Sequence, residues 1–223
     1  MDAPLLPAVE LETRQPVAAS VIWLHGLGAD GNDFAGIIPE LQLPAALGLR
    51  FIFPHAPTRP VTINGGYVMR AWYDIASADF LRAPDTAGIR DSERAVRALI
   101  AREQSRGVAA SRIVIGGFSQ GGAIALHTGL RFPEPLAGIV ALSTYMPLPG
   151  TLEDESHPAN ARVPVFVGHG RDDALIPLAL AQRTRDLLSA REQIVEWHEY
   201  PIAHSVCLPE LQDLGVWLAG RLS

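Results

Sequence analysis

Three places in the chain hold residues that could carry out acyl transfer together. The first is Gly117-Phe118-Ser119-Gln120-Gly121, a GxSxG pattern at the end of the apolar run Ile113-Val114-Ile115. Serine is a weak nucleophile unless a base takes its proton and a fixed geometry exposes its hydroxyl. Small residues two positions to either side let a strand turn sharply into a helix, where a larger side chain would strike the adjoining elements. The second place is His204, in the segment Pro201-Ile202-Ala203-His204-Ser205 between a strand-like run and a final helical pattern. The third is the acidic pair Asp172-Asp173, in His169-Gly170-Arg171-Asp172-Asp173-Ala174-Leu175-Ile176-Pro177. A nucleophile, an acid and a base in the chain order Ser, Asp, His match the order of an α/β-hydrolase triad.

Chain order also sorts the seven histidines. His25 and His55 precede the serine, and His127 lies within the helix after it. His157 falls in a loop rich in Pro, Asp and Glu. His169 ends a strand just before the acid candidates, and His198 lies within a strand-like run. His204 is left as the base. Either Asp172 or Asp173 could orient its imidazole, and spacing does not separate them. The tetrahedral intermediate of acyl transfer needs two fixed N–H donors for its oxyanion. The Gln120 amide follows the nucleophile at a helix N-terminus and is one natural donor. The other is expected from the loop His25-Gly26-Leu27-Gly28.

Two other readings of the glycines fail on chemistry. A phosphate loop starting at Gly116 would need lysine at the position held by Gly122. Gly26-Leu27-Gly28-Ala29-Asp30-Gly31 matches GxGxxG after an apolar run, but the next strand ends Phe51-Ile52-Phe53-Pro54-His55 without the carboxylate that a dinucleotide's ribose requires.

These groups must be held by a frame. Apolar runs at 20–24, 49–53, 113–115, 138–142, 163–167 and 194–200 are mostly apolar on both faces, as expected of strands buried under helices. Helical patterns lie between them, at 91–106, about 122–131, 177–190 and 209–222. Asp91 or Ser92 is the expected cap of the first, Ala95, Val96, Leu99 and Ile100 form its apolar stripe, and Gly107 is its stop. The alternation predicts a mostly parallel sheet covered on both sides, in a single domain over residues 1–223. Residues 54–88 and 147–162 interrupt the rhythm at strand C-terminal ends, where open α/β sheets bind ligands.

The 223 residues are 48% hydrophobic, enough for a substantial core. A formal charge of −6 with no Lys/Arg cluster argues against nucleic acid and anionic lipid as partners. No apolar run approaches the roughly 20 residues of a membrane span, and the N-terminal stretch lacks the basic and apolar regions of a secretory leader. A cytoplasmic location without stable membrane insertion is the expectation. The single cysteine, Cys207, excludes an internal disulfide and a multi-cysteine metal site.

Taken together, the motifs resemble the small carboxylesterases and acyl-protein thioesterases of the α/β-hydrolase fold, the phospholipase/carboxylesterase family. The resemblance runs from about residue 20 to 210. It rests on His25-Gly26-Leu27-Gly28, Pro54-His55-Ala56-Pro57-Thr58-Arg59-Pro60-Val61-Thr62, Ala71-Trp72-Tyr73-Asp74-Ile75, Gly116 to Gly122, Leu136-Ala137-Gly138 with Ala141-Leu142-Ser143, the 169–177 segment and His204-Ser205. The family pattern HGxxDxxVP falls on His169, Gly170, Asp173, Ile176 and Pro177, which implies that Asp173 is the acid. The resemblance also implies that the Leu27 amide is the second oxyanion donor, and that Trp72, Tyr73 and the loop through Phe80 and Leu81 border the acyl site. It makes a homodimer an option. Gly65-Gly66-Tyr67-Val68-Met69-Arg70 looks more like the bacterial carboxylesterase branch than the eukaryotic thioesterases. The expectation is therefore a cofactor-free serine carboxylesterase acting on short to medium acyl esters, ahead of lysophospholipids or protein thioesters.

Overall fold

The computed structural model describes residues 5–77 and 82–223. Its centre is a seven-stranded sheet built from β1 (Ala8–Glu12), β2 (Ala19–Leu24), β3 (Leu49–Pro54), β6 (Ile113–Phe118), β7 (Gly138–Leu142), β8 (Pro164–Gly170) and β9 (Ile194–Tyr200), in the order β1-β3-β2-β6-β7-β8-β9. Only β1 pairs antiparallel, with β3; the remaining pairs are parallel. A separate two-stranded hairpin is formed by β4 (Thr58–Val61) and β5 (Tyr67–Arg70). The helices are α1 (Thr86–Ser105), α2 (Gln120–Arg131), α3 (Leu152–Glu155), α4 (Leu178–Ala190) and α5 (Leu208–Leu222).

The doubly apolar strands feed two cores. In β2, Ile22 and Leu24 join one cluster with Val96, Leu99 and Ile100 of α1 and Ile124 of α2. Val21 and Trp23 face the opposite way, toward Leu214, Trp217 and Leu218 of α5. The chain leaves β2 for β3 on one side and crosses back to β6 on the other. That reversal makes the crevice outside the carboxyl ends of β2 and β6 the place where such a sheet binds ligands. The loop after β2 and Ser119 after β6 both open there.

The structure adds β1 and the β4–β5 hairpin to the elements expected from the sequence, and it moves the start of α1. β1 is an added edge strand whose Glu10 and Glu12 are exposed, so it carries no two-sided apolar signal. α1 starts earlier than expected. Asp85, and not Asp91 or Ser92, caps it by accepting from the Gly88 amide at 2.9 Å, and buried Ile89 extends the apolar stripe backward. Gly107, at φ 92°, ends the helix in the left-handed conformation, as expected. In keeping with the rejected dinucleotide reading, the GxGxxG segment opens no α-helix. Between β2 and β3 there is only a 3-10 segment, Ala35–Leu41, so a pyrophosphate would find no helix N-terminus at those glycines.

Candidate active site

Ser119 sits between β6 and α2 with φ 55° and ψ −121°, a conformation that L-residues rarely adopt. Its neighbours hold it there. The Ser119 amide donates to the Leu142 carbonyl of β7 at 2.8 Å, and the Thr144 hydroxyl donates to the Ser119 carbonyl at 2.7 Å. The turn packs against the end of β2 so tightly that a Cβ on Gly117 or Gly121 would lie 2.4 or 2.2 Å from the Leu24 carbonyl oxygen. Glycine at both positions is what brings the serine beside the loop after β2. Gly116 and Gly122 answer the same need sideways, toward Val140 and Thr144.

His204 Nε2 lies 2.9 Å from Ser119 Oγ, and its Nδ1 lies 2.7 Å from Asp173 Oδ2. Because the ionised carboxylate can only accept, Nδ1 carries the proton and Nε2 is left to accept from the serine. The second oxygen of Asp173 accepts from the amides of Leu175 and Ile176 at 2.9 and 2.8 Å, and the side chain is fully buried. Asp172 is exposed, and its amide donates to the Ile202 carbonyl at 3.0 Å. That bond and the one from the Arg171 amide to the Tyr200 carbonyl, 2.8 Å, continue the β8–β9 pairing into the two loops. They fix the acid loop against the loop that carries His204. His169 supports the same turn. It is fully buried, and its Nε2–H donates to the Ile176 carbonyl at 2.8 Å. Burial pushes its pKa down, which keeps it neutral.

The loop after β2 is tied from below. Buried His25 donates from Nδ1 to the Gly26 carbonyl at 2.7 Å and accepts at Nε2 from the Ala56 amide at 3.0 Å. Burial lowers its pKa as well, consistent with one donor and one acceptor on a neutral ring. The Trp72 indole donates to the His25 carbonyl at 2.9 Å, and the Gly28 amide donates to the Arg70 carbonyl of β5 at 2.9 Å. The hairpin and the loop after β2 are thereby hydrogen-bonded to each other.

The Gln120 side chain has a use that the sequence did not reveal. Its side-chain oxygen accepts from the Trp72 amide at 2.8 Å and its NH2 donates to the Tyr73 carbonyl at 2.7 Å. The residue after the serine thus clamps the backbone that walls the cleft. That cleft has a volume of about 130 Å³ and is lined by Leu27, Ser119, Gln120, Tyr73, Tyr145 and Ile63, among others. Of the two aromatics expected at the acyl site, Tyr73 faces the cleft. Trp72 is fully buried and does not line it; it serves the His25 loop instead. Phe80 and Leu81 lie outside the described residues. Ser119, His204 and Asp173 come together as one hydrogen-bonded chain, with Leu27 and Gln120 beside the serine.

Residues 7–220 match the phospholipase/carboxylesterase family. The chain belongs to this family. Acyl-protein thioesterase 1 of Yarrowia lipolytica is 38% identical over 220 residues, spanning 96% of this chain and 97% of that protein. Acyl-protein thioesterase 1 of Neurospora crassa is 40% identical over 227 residues, spanning 98% and 91%. Among solved structures, Zea mays acyl-protein thioesterase 2 superposes with a TM-score of 0.85 at 30% identity, covering 97% of this chain and 99% of that one. Esterase PE8 does so with a TM-score of 0.83 at 26% identity, covering 98% and 100%. As a member of this family the chain is an α/β-hydrolase and a carboxylic ester hydrolase. No helix among the described residues is long and apolar enough to cross a membrane.

Proposed function

We propose that this protein hydrolyses acyl thioesters, and carboxylic esters of the same acyl groups, through an acyl-enzyme on Ser119. His204 takes the serine proton as Oγ attacks the carbonyl carbon, while Asp173 holds the imidazole in the required tautomer and stabilises its cation. The Leu27 and Gln120 amides hold the oxyanion; each such donor is worth about 3 kcal/mol in the transition state. His204 then protonates the leaving thiolate or alkoxide, and later activates the water that releases the acid. The observation that carries the proposal is the unbroken chain Ser119 Oγ to His204 to Asp173, at 2.9 and 2.7 Å, at the mouth of an apolar cleft.

Oxygen esters came first in the sequence reading, on the strength of the Gly65 to Arg70 segment. Relatives named acyl-protein thioesterase 1, at 38 and 40% identity over nearly the whole chain, move the weight to thioesters. Both substrates pass through similar oxyanions, so the same site serves either. A pure carboxylesterase is the second reading, supported by the likeness to esterase PE8 and by a cleft smaller than the roughly 300 Å³ at which typical small-ligand sites begin. A matched pair of octanoyl substrates, one thioester and one p-nitrophenyl ester, separates the two. The proposal expects turnover of both, with Ser119→Ala lowering each kcat by roughly 10^6. Thioester turnover that survives in Ser119→Ala would refute the assignment, and ester turnover alone would select the second reading.

A further inference from the structure

The cleft beside Ser119 has two tyrosines in its wall. Tyr73 and Tyr145 both line it, and their hydroxyls meet at 2.9 Å. Each residue is only 3% exposed. Tyr145 is also a wall of a second, larger cavity of about 300 Å³, lined by Met146, Pro149, Leu180 and Leu187, with the exposed Arg183 and Asp186 among its lining residues. One aromatic ring therefore stands between the serine's cleft and an apolar space more than twice its volume.

The wall is fixed on both sides. The Tyr73 carbonyl is held by the Gln120 amide group, and the preceding Trp72 is held through its amide by Gln120 and through its carbonyl by the Ser92 hydroxyl. The Tyr145 segment runs between two residues in the left-handed conformation, Ser143 at φ 46° and Leu148 at φ 48°, and the Met146 amide donates to the Thr184 hydroxyl of α4 at 2.8 Å. Burial raises the pKa of both phenols, that of Tyr145 to about 12, so the pair stays neutral, one hydroxyl donating and the other accepting. With both backbones tied and both hydroxyls satisfied, the partition is a stop set by side-chain size.

On the reading that Ser119 forms an acyl-enzyme, we propose that the Tyr73–Tyr145 pair is the acyl-length stop of this site, and that Tyr145 is the specificity-determining residue. The cavity beyond it, between Met146, Leu180 and Leu187, is a second acyl subsite that the tyrosine closes. The unsubstituted protein then favours short to medium acyl chains, because the Tyr145 ring bars further methylenes from that apolar space. Tyr145→Ala joins the two spaces, and a longer chain gains about fourfold in kcat/KM for each methylene it buries.

The test is the ratio of kcat/KM for a dodecanoyl over a butanoyl ester, measured within each variant so that a general loss of activity cancels. Three additional buried methylenes raise that ratio about sixtyfold in Tyr145→Ala. Tyr145→Phe keeps the ring and keeps the low ratio. Adding Leu180→Trp to Tyr145→Ala refills the second cavity and brings the ratio back down. Labelling by a fluorophosphonate reports separately on Ser119. If the unsubstituted protein is not labelled, the acyl-enzyme reading falls first, and this proposal with it. A Tyr145→Ala protein that is labelled but keeps the original ratio, or a high ratio that Leu180→Trp leaves untouched, overturns the stop alone. If Tyr145→Ala does not fold, Tyr145→Leu is read by the same ratio and the same criterion.

Discussion

Asp173→Asn tests the acid assignment with a change of one atom type, and the structure dictates how it must act. One carboxylate oxygen accepts from the Leu175 and Ile176 amides at 2.9 and 2.8 Å, and the other meets His204 Nδ1 at 2.7 Å. An asparagine has one acceptor oxygen and one NH2 group. Turned with its NH2 toward the two amides, it would set donor against donor in a fully buried place. The orientation that remains gives the oxygen to the amides and the NH2 to His204. Nδ1 must then accept, and the proton moves to Nε2, where it faces Ser119 Oγ and blocks the base from taking the serine proton. The same wrong-tautomer effect in a serine protease triad costs about 10^4 in kcat, and a loss of that order is expected here. Asp172, exposed and linked to the site only through its backbone amide, should tolerate the same change within about twofold. Initial rates on p-nitrophenyl butanoate at pH 8 give both numbers, and a urea unfolding curve for each variant shows that the fold is unchanged. Equal losses in the two variants, or an Asp173→Asn protein with more than about a tenth of the original kcat, would refute the argument from the tautomer.

Further expectations follow from the contacts around the site. Gln120→Ala leaves the Trp72 amide and the Tyr73 carbonyl buried without partners and should lower the unfolding free energy by about 2–4 kcal/mol, read from the urea midpoint at constant m. Gly121→Ala puts a Cβ 2.2 Å from the Leu24 carbonyl oxygen and 2.6 Å from that of His25, both rigid backbone, so a loss of about 3 kcal/mol or more, or no folded protein, is expected. Glu210 is fully buried at the start of α5, and burial, reinforced by the Asp213 carboxylate, pushes its carboxyl up to about 8 from an ordinary 4.5. Between those values the folded protein keeps a proton that the unfolded chain releases, so this group's stabilisation is complete below pH 4.5 and is lost as pH rises to about 8. Relative to the natural protein, Glu210→Gln, which does not titrate, should therefore gain about 1.4 kcal/mol of stability per pH unit between pH 5 and 8. A difference that does not vary with pH would mean that Glu210 is ionised throughout.

What could be read from the chain beforehand depended on whether a feature repeats along it. β7 has the expected bounds because Gly138 to Leu142 is apolar on both faces of a covered sheet, and β9 has them because Val195, Trp197 and Tyr200 keep a strand-like run recognisable even at the sheet edge. β1 escaped notice because it is short and lies at the edge, where Glu10 pairs with Arg102 and Arg106, and Glu12 with Arg50, so two of its five residues are charged. The β4–β5 hairpin escaped for a similar reason, with four-residue strands, a proline at position 60 and a five-residue turn through Gly65 and Gly66. Ser119, His204 and the Asp172–Asp173 pair stood out as candidates because acyl transfer needs particular residue types in a known order, and the family pattern then singled out Asp173. Their supports did not stand out. Gln120 holds backbone groups 47 and 48 positions away, and His25 takes the amide of Ala56, 31 positions on. A side chain that binds backbone imposes no residue type on its partner, so it leaves no pattern in the sequence. The same reasoning explains the Tyr73–Tyr145 stop. Neither tyrosine is distinctive alone, and only the fold brings positions 72 residues apart within hydrogen-bonding distance. Chemistry in this protein is written in residue identity, whereas substrate reach is written in which residues meet, so relatives with the same Ser, Asp and His can differ in the acyl chains they accept.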